Sequence, residues 1–206
     1  FIDDNSLHFN DKSAVTADPT DSRYVYVVWD RISENDGPSW MARTTDAGHS
    51  WEPARIIYNP GINRQTINNQ IVGLPNGTIA LFFTQLDAVS ANEVEARLTV
   101  LRSTDHGATW SDPVPVSVSP NGQLAPHNQF FPWIAVDENG RFQAIWFDRR
   151  PDPNNHNITT FQGTSNDDGQ TWHNVRIGAS LWDPDQGFFA SGAFIGDYNG
   201  LAANSR

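Results

Sequence analysis

Two short runs set an acid and a base beside aromatic rings: Trp29-Asp30-Arg31 and, farther along, Trp146-Phe147-Asp148-Arg149-Arg150. Asp30, Arg31, Asp148, Arg149 and Arg150 are therefore the candidate catalytic residues. A guanidinium presents a planar fork of N–H donors, so Arg31, Arg149 and Arg150 suit bidentate capture of a carboxylate. The same chemistry also makes an Asp–Arg pin that holds a loop, and both readings stand at this level. Arg64, Gln70, His127, Gln129, Asp197 and Tyr198 are polar residues near the starts of strand-like runs, which makes them the candidate substrate-binding set.

These residues need elements to position them, and the chain marks its elements by repetition. Thr44-Thr45-Asp46-Ala47-Gly48-His49-Ser50-Trp51, Ser103-Thr104-Asp105-His106-Gly107-Ala108-Thr109-Trp110 and Ser165-Asn166-Asp167-Asp168-Gly169-Gln170-Thr171-Trp172 share one pattern: hydroxyl, x, Asp, x, Gly, x, hydroxyl, Trp. In such a turn the Asp carboxylate accepts backbone N–H groups, and Gly takes the positive φ that a Cβ penalises. Trp51, Trp110 and Trp172 then bury large rings beneath their turns, at a spacing of about 60 residues. A period of that length, filled with strand-like runs and turn signals, predicts one small antiparallel sheet per repeat.

These octets resemble the Asp box, or BNR repeat, of the sialidase superfamily. The resemblance covers three repeats and nearly the whole chain. It implies an all-β fold, a β-propeller of sialidase type, with each box between the third and fourth strands of a blade and serving as a fold staple.

Taken in order, Ser13–Asp18 and Arg23–Asp30 read as paired strands; Asn69–Leu74 and Thr78–Phe83 pair across Pro75-Asn76-Gly77; Pro132–Asp137 and Arg141–Phe147 pair across Glu138-Asn139-Gly140. The repeats run approximately over 11–65, 66–127 and 128–190 of a single propeller region. Phe194–Ala203, within residues 191–206, reads as the first strand of a further blade. Propellers close with roughly 4–8 blades. The expectation is therefore either a fragment of a longer chain or a homodimer whose two arcs close a six-bladed ring.

Strand direction assigns the faces. The short turns and the boxes lie on one side; the second-to-third loops, Trp29–Pro38, Thr84–Glu93 and Trp146–Asn157, lie on the other with the connections between repeats. Asp11/Lys12, Asn69/Gln70, Phe131/Pro132 and Ile195/Gly196 are expected at matching places on the channel-lining strands. The shared aromatic-Asp-Arg start predicts equivalent places for Asp30 and Asp148, and for Arg31 and Arg149.

Composition narrows the chemistry. The formal net charge of −11 argues against nucleic acid and against anionic membranes as partners. No apolar run approaches the ~20 residues of a membrane span. With no Cys, disulfides, thiolate metal sites and a Cys nucleophile are excluded. Asp3-Asp4-Asn5 with Asp11, and Asp183-Pro184-Asp185, offer the hard oxygen donors Ca²⁺ takes, but neither has the spacing of a calcium loop, and no zinc cluster is indicated among the six His. The metal expectation is none, with Ca²⁺ the one cation these runs would suit.

Sialidases hold the sugar carboxylate with an arginine triad and use a Tyr nucleophile aided by Glu, with an Asp acid/base; the Tyr departs from the two-carboxylate rule. The family's Arg-Ile-Pro motif is absent here, and no Tyr stands in the context of the nucleophile. The runs around Asp148 and around Asp197 look more like those of bacterial sialidase-like BNR proteins, which implies a secreted or cell-surface protein with a glycan or other carbohydrate ligand. Three functions remain open: an exo-acting glycoside hydrolase of sialidase type, a non-catalytic glycan-binding propeller using aromatics such as Trp40 and Trp182, and a protein-interaction scaffold.

Overall fold

The computed structural model describes residues 8–33, 36–189, 192–196 and 198–204. Among these the chain forms three meandering antiparallel sheets and a separate two-stranded hairpin, with no α-helix. The first sheet contains β1 (Phe9–Ala17), β2 (Val25–Ile32), β4 (Ser39–Thr44) and β5 (Arg55–Tyr58). Between β2 and β4, β3 (Asp36–Gly37) leaves this sheet and pairs in parallel with β6 (Arg64–Gly73). The middle sheet continues with β7 (Ile79–Ser90), β8 (Glu93–Ser103) and β9 (Val114–Pro115). The third contains β10 (Gln129–Val136), β11 (Phe142–Asp148), β12 (Thr159–Ser165) and β13 (His173–Arg176). A 3₁₀ turn at Pro184–Gln186 and the hairpin β14 (Phe188–Phe189) and β15 (Gly192–Ala193) follow. No helix is long and apolar enough to cross a membrane.

Alternation along each strand builds the core. Ile79, Leu81 and Phe83 of β7 face the first sheet, where they meet Tyr26, Val28 and Met41. Ala80 and Phe82 face the third sheet and meet Phe142, Ala144 and Trp146. The apolar run of β7 is thus the mark of a strand covered on both faces, and each such large side chain contributes about 1.5–3 kcal/mol.

The boxes do what their chemistry demands. All three lie between the third and fourth main strands of a sheet. Asp46, Asp105 and Asp167 accept the backbone N–H and the hydroxyl of Ser50, Thr109 and Thr171. Hydrogen bonds from Ser50, with Thr44 added, hold the Asp46 carboxyl down at about 2. Gly48, Gly107 and Gly169 adopt φ of 90°, 76° and 82°, each after a residue that is also left-handed: Ala47, His106 and Asp168. The second and third boxes also dock on the sheet before them. His106 reaches Asp18, Asp168 accepts from Asn76, and Trp172 stands edge-on to Phe82 at 5.5 Å.

Three expectations change. Thr84–Glu93 is not a loop, because β7 and β8 extend to Ser90 and from Glu93 and turn tightly at Ala91-Asn92. The described residues of Phe194–Ala203 are outside any strand, since no described segment forms a ladder with them. The third change concerns register. Thr44, Ser103 and Ser165 pair with Val25, Ile79 and Phe142. Counted from these pairs, Asp30 is equivalent to Thr84 and Phe147, whereas Asp148 is equivalent to Arg31 and Gln85. The two aromatic-Asp-Arg runs are therefore one residue out of step, and successive strand residues face opposite sides.

Candidate functional site

The first strand of each sheet carries a bulge at the same place. Register shifts fall between Asp11 and Ala14 in β1, Ile67 and Gln70 in β6, and Phe130 and Trp133 in β10. Within them Lys12, Asn68 and Phe131 have φ of 48°, 60° and 61°. Gly196, in the segment that follows β15, also has a left-handed φ, of 96°. Lys12 and Phe131 stand at this point as expected, and the middle sheet contributes Asn68 in place of Asn69 and Gln70, while Gly196 belongs to no ladder among the described residues. A left-handed Phe or Lys costs about 1–2 kcal/mol, and bulges re-aim side chains.

Around these bulges lies a cavity of about 620 Å³, lined by Asp11, Lys12, Asn68, Phe130, Phe131, Arg149 and Asp185 among others. Arg149 lies over the Phe130 ring at 5.1 Å. Its buried Nε meets no hydrogen-bond acceptor among the described residues. Burial pushes the Arg149 guanidinium down, while the charges of Asp185 and Asp152 pull it back up. Two cationic side chains, two carboxylates, an amide and two phenyl rings meet in one cavity, which suits a ligand with polar edges and an apolar face.

The other sequence candidates sit elsewhere. Asp148 is fully buried and accepts from Trp146 Nε1 and from the backbone N and Nε of Arg150. Arg150 also donates to the Val118 carbonyl and stacks over Phe161 at 4.2 Å. The pair ties the 149–158 loop to the middle sheet. Arg31 donates to Asn10 Oδ1 and covers the Trp40 ring at 3.9 Å. Trp40 is thereby half-buried in β4, away from any exposed loop.

Asp30 is 0% exposed, and among the described residues only one of its oxygens is met, by Asn69 Nδ2 at 3.4 Å. Burial and the neighbouring charge of Asp11 push its carboxyl up to about 7. It stands with Ser39, Thr66 and Asn69 in a buried polar cluster between the first and middle sheets.

Of the six substrate-binding candidates, Gln70 bridges to Pro132 O and Ile134 N of β10. Gln129 is buried against Pro126 O, His127 O and Ser117. Arg64 approaches Asp87 at 3.5 Å and lines a separate cavity of about 230 Å³ between the first two sheets. His127 lines another, of about 300 Å³, beside β8. Tyr198 is 70% exposed beneath Lys12, whose Nζ lies 4.9 Å from its ring centre. Asp197 lies outside the described residues, as do Asp3, Asp4 and Asn5.

Residues that sequence reasoning passed over for the site include Asn68, Phe130 and Asp185. Asn68 and Phe130 owe their place to a bulge, which has no period to read, whereas Asp185 lies in the 3₁₀ turn Pro184–Gln186 and reads from sequence only as a Ca²⁺ donor. Asn128 was also missed as an organiser: its side chain receives Ala96 N and donates to Val94 O, capping the free edge of β8 as a strand would.

Comparison with known proteins follows the same lines. Residues 26–179 match the family described as a BNR repeat-like domain. A protein of unknown function from Dyadobacter fermentans superposes with a TM-score of 0.62 at 18% identity, covering 83% of this chain and 55% of that one. Trypanosoma rangeli sialidase in complex with the inhibitor DANA gives 0.57 at 14% identity, covering 85% and 32%. The GH93 α-L-arabinofuranosidase of Fusarium graminearum, solved with arabinobiose, gives 0.56 at 12%, covering 84% and 53%. The chain thus spans about half or less of the length of these structures. No curated protein sequence matches it.

Proposed function

The chain belongs to the BNR repeat-like family, and from that premise we propose that it is part of an exo-acting glycoside hydrolase that cleaves a terminal sugar, of sialic acid type, at the bulged mouth of the channel. The observation that carries the reading is Arg149, a guanidinium whose buried Nε–H meets no acceptor among the described residues and which lines the same cavity as Asp11 and Asp185. Arg149 would grip a sugar carboxylate or hydroxyl pair, and Phe130 and Phe131 would pack the apolar face of the ring. Asp11 and Asp185 are the carboxylates available for the two proton-transfer or nucleophilic roles of glycoside cleavage. In this reading Asp148 and Arg150 pin the loop that presents Arg149.

The three sheets are then three propeller blades, with repeats near 11–65, 66–127 and 128–190, and further blades from a longer chain or a second copy close the ring. A secreted or surface setting fits a glycan ligand. A second reading, binding without cleavage, is favoured by a specific observation: among the described residues Arg149 is the single arginine of the cavity, and no Tyr lines it. Light scattering fixes the assembly, after which aryl sialosides and arabinosides are offered to it. Hydrolysis lost in Asp11→Asn and Arg149→Ala supports the enzyme; sugar binding without turnover supports the second reading; neither, in a closed ring, overturns both.

A further inference from the structure

Away from the boxes, His156 Nε2 stands 3.0 Å from Asp183 Oδ1 and 3.7 Å from Asp185 Oδ2, and the three donor atoms all lie within 4.8 Å of one another. We infer that His156, Asp183 and Asp185 form a binding site for one divalent transition-metal ion, with zinc the ion the donors fit best.

The separations are those of ligands around an ion. Zinc takes imidazole nitrogen and carboxylate oxygen at about 2.0–2.2 Å, which puts two tetrahedral ligands about 3.3–3.5 Å apart. The distances of 3.0 and 3.7 Å lie on either side of that value, so small rotations of exposed side chains admit the ion. The donor set discriminates as well. The oxygen-only run Asp183-Pro184-Asp185 would suit calcium, which wants six to eight oxygens; an imidazole beside only two carboxylates shifts the preference to zinc.

The scaffold is built from two segments. Ile158 and Trp182 exchange two backbone hydrogen bonds of 3.0 Å, tying the 149–158 loop to the chain just before Asp183. Asp152 accepts from the backbone N of His156 and of Asn157. The backbone N of Asp185 donates to Asp183 Oδ1 at 2.9 Å, which orients that carboxylate.

A His–Asp ion pair by itself needs one carboxylate, whereas this imidazole has two. The Arg149 guanidinium feels the charge of Asp185, but no described arginine or lysine lies within ion-pair distance of Asp183 or Asp185, so neither carboxylate is held by a basic side chain other than His156. Asp185 also lines the channel-mouth cavity, so a fourth, non-protein position on the ion could open toward it. The inference does not depend on hydrolytic activity: with the ion bound, Asp185 is a ligand and not one of the two carboxylates of glycoside cleavage.

The test is calorimetric titration of the chelator-stripped 206-residue chain with zinc chloride. One zinc per chain is expected, with affinity weakened at least tenfold in His156→Ala and in Asp185→Asn and unchanged in His127→Ala. Asp185 is largely exposed, so Asp185→Asn should keep the fold, which circular dichroism verifies. The absence of zinc binding, or binding of equal strength in wild type and Asp185→Asn, overturns the site. Weakening of the same size in His127→Ala reveals scattered surface binding and overturns it too.

Discussion

His106 Nδ1 lies 3.0 Å from Asp18 Oδ2, so the second Asp box is latched to the β1–β2 turn of the sheet before it. Tyr26 donates to the same oxygen at 2.8 Å, and Thr20 holds the other. Burial pushes the Asp18 carboxyl up, but hydrogen bonds from Thr20, His106 and Tyr26 outweigh it and hold the group well below the usual carboxylate range. A carboxyl with a depressed folded pKa stabilises above its unfolded value near 4 and loses that contribution as pH falls through the folded value. Asp18→Asn should therefore cost about 2–4 kcal/mol at pH 7, and the deficit should shrink below pH 4; urea melts across pH measure both.

Asp30 shifts in the opposite direction. Its folded pKa of about 7 exceeds the unfolded value, so the folded state binds the extra proton and stability falls as pH rises from about 4 to 7, then levels. Asp30→Asn should remove that slope. The variant should gain on wild type by on the order of 2–4 kcal/mol by pH 8, as thermal or urea unfolding reports.

Two box glycines separate backbone strain from packing. A Cβ on Gly48 meets nothing within 4 Å, whereas one on Gly107 lands 3.2 Å from Met41 Cε. Both substitutions to Ala force a left-handed alanine and should cost about 1–2 kcal/mol. Gly107→Ala should lose more than Gly48→Ala, since Met41 must also move in a filled core; paired chemical denaturation curves give the difference.

Neighbouring arginines should behave oppositely. Arg150→Ala strands the buried Asp148 carboxylate and should destabilise by about 3–5 kcal/mol. Arg149→Ala removes a guanidinium that makes no ion pair with a described residue. Stability should change by less than about 1 kcal/mol, while affinity for an acidic sugar falls at least tenfold by calorimetry.

How much of this was legible in the chain depends on how local the signal is. Each box was readable because eight consecutive residues carry its whole hydrogen-bond circuit. The Asn-Gly hairpins read equally well: Gly77 and Gly140 take φ of 87° and 77° where the turns were expected. The run from Ile79 to Phe83 announced a strand, although not that both of its faces would be covered. Thr84–Glu93, polar and bounded like a loop, folds instead as the outer half of a long hairpin, because the pairings of Leu86 with Ala96 and of Asp87 with Glu95 extend the ladder beyond what composition suggests.

The sequence by itself determined the all-β repeat, its turns and its staples, since those follow from side chains acting on their own backbone a few residues away. Tertiary structure decided which charges face which cavity. Asp30 and Asp148 share a motif yet differ by one place in the ladder, and in a strand one place turns a side chain to the other face. Bulges at Lys12, Asn68 and Phe131 re-aim the side chains around the cavity without any periodic mark. Arg149 is left for the cavity and Arg150 is spent on Asp148; His156 reaches Asp183 and Asp185 across a separation of 27 residues or more. Such outcomes depend on which strands pair and in what register, a property of the assembled sheets that adjacent residues do not carry.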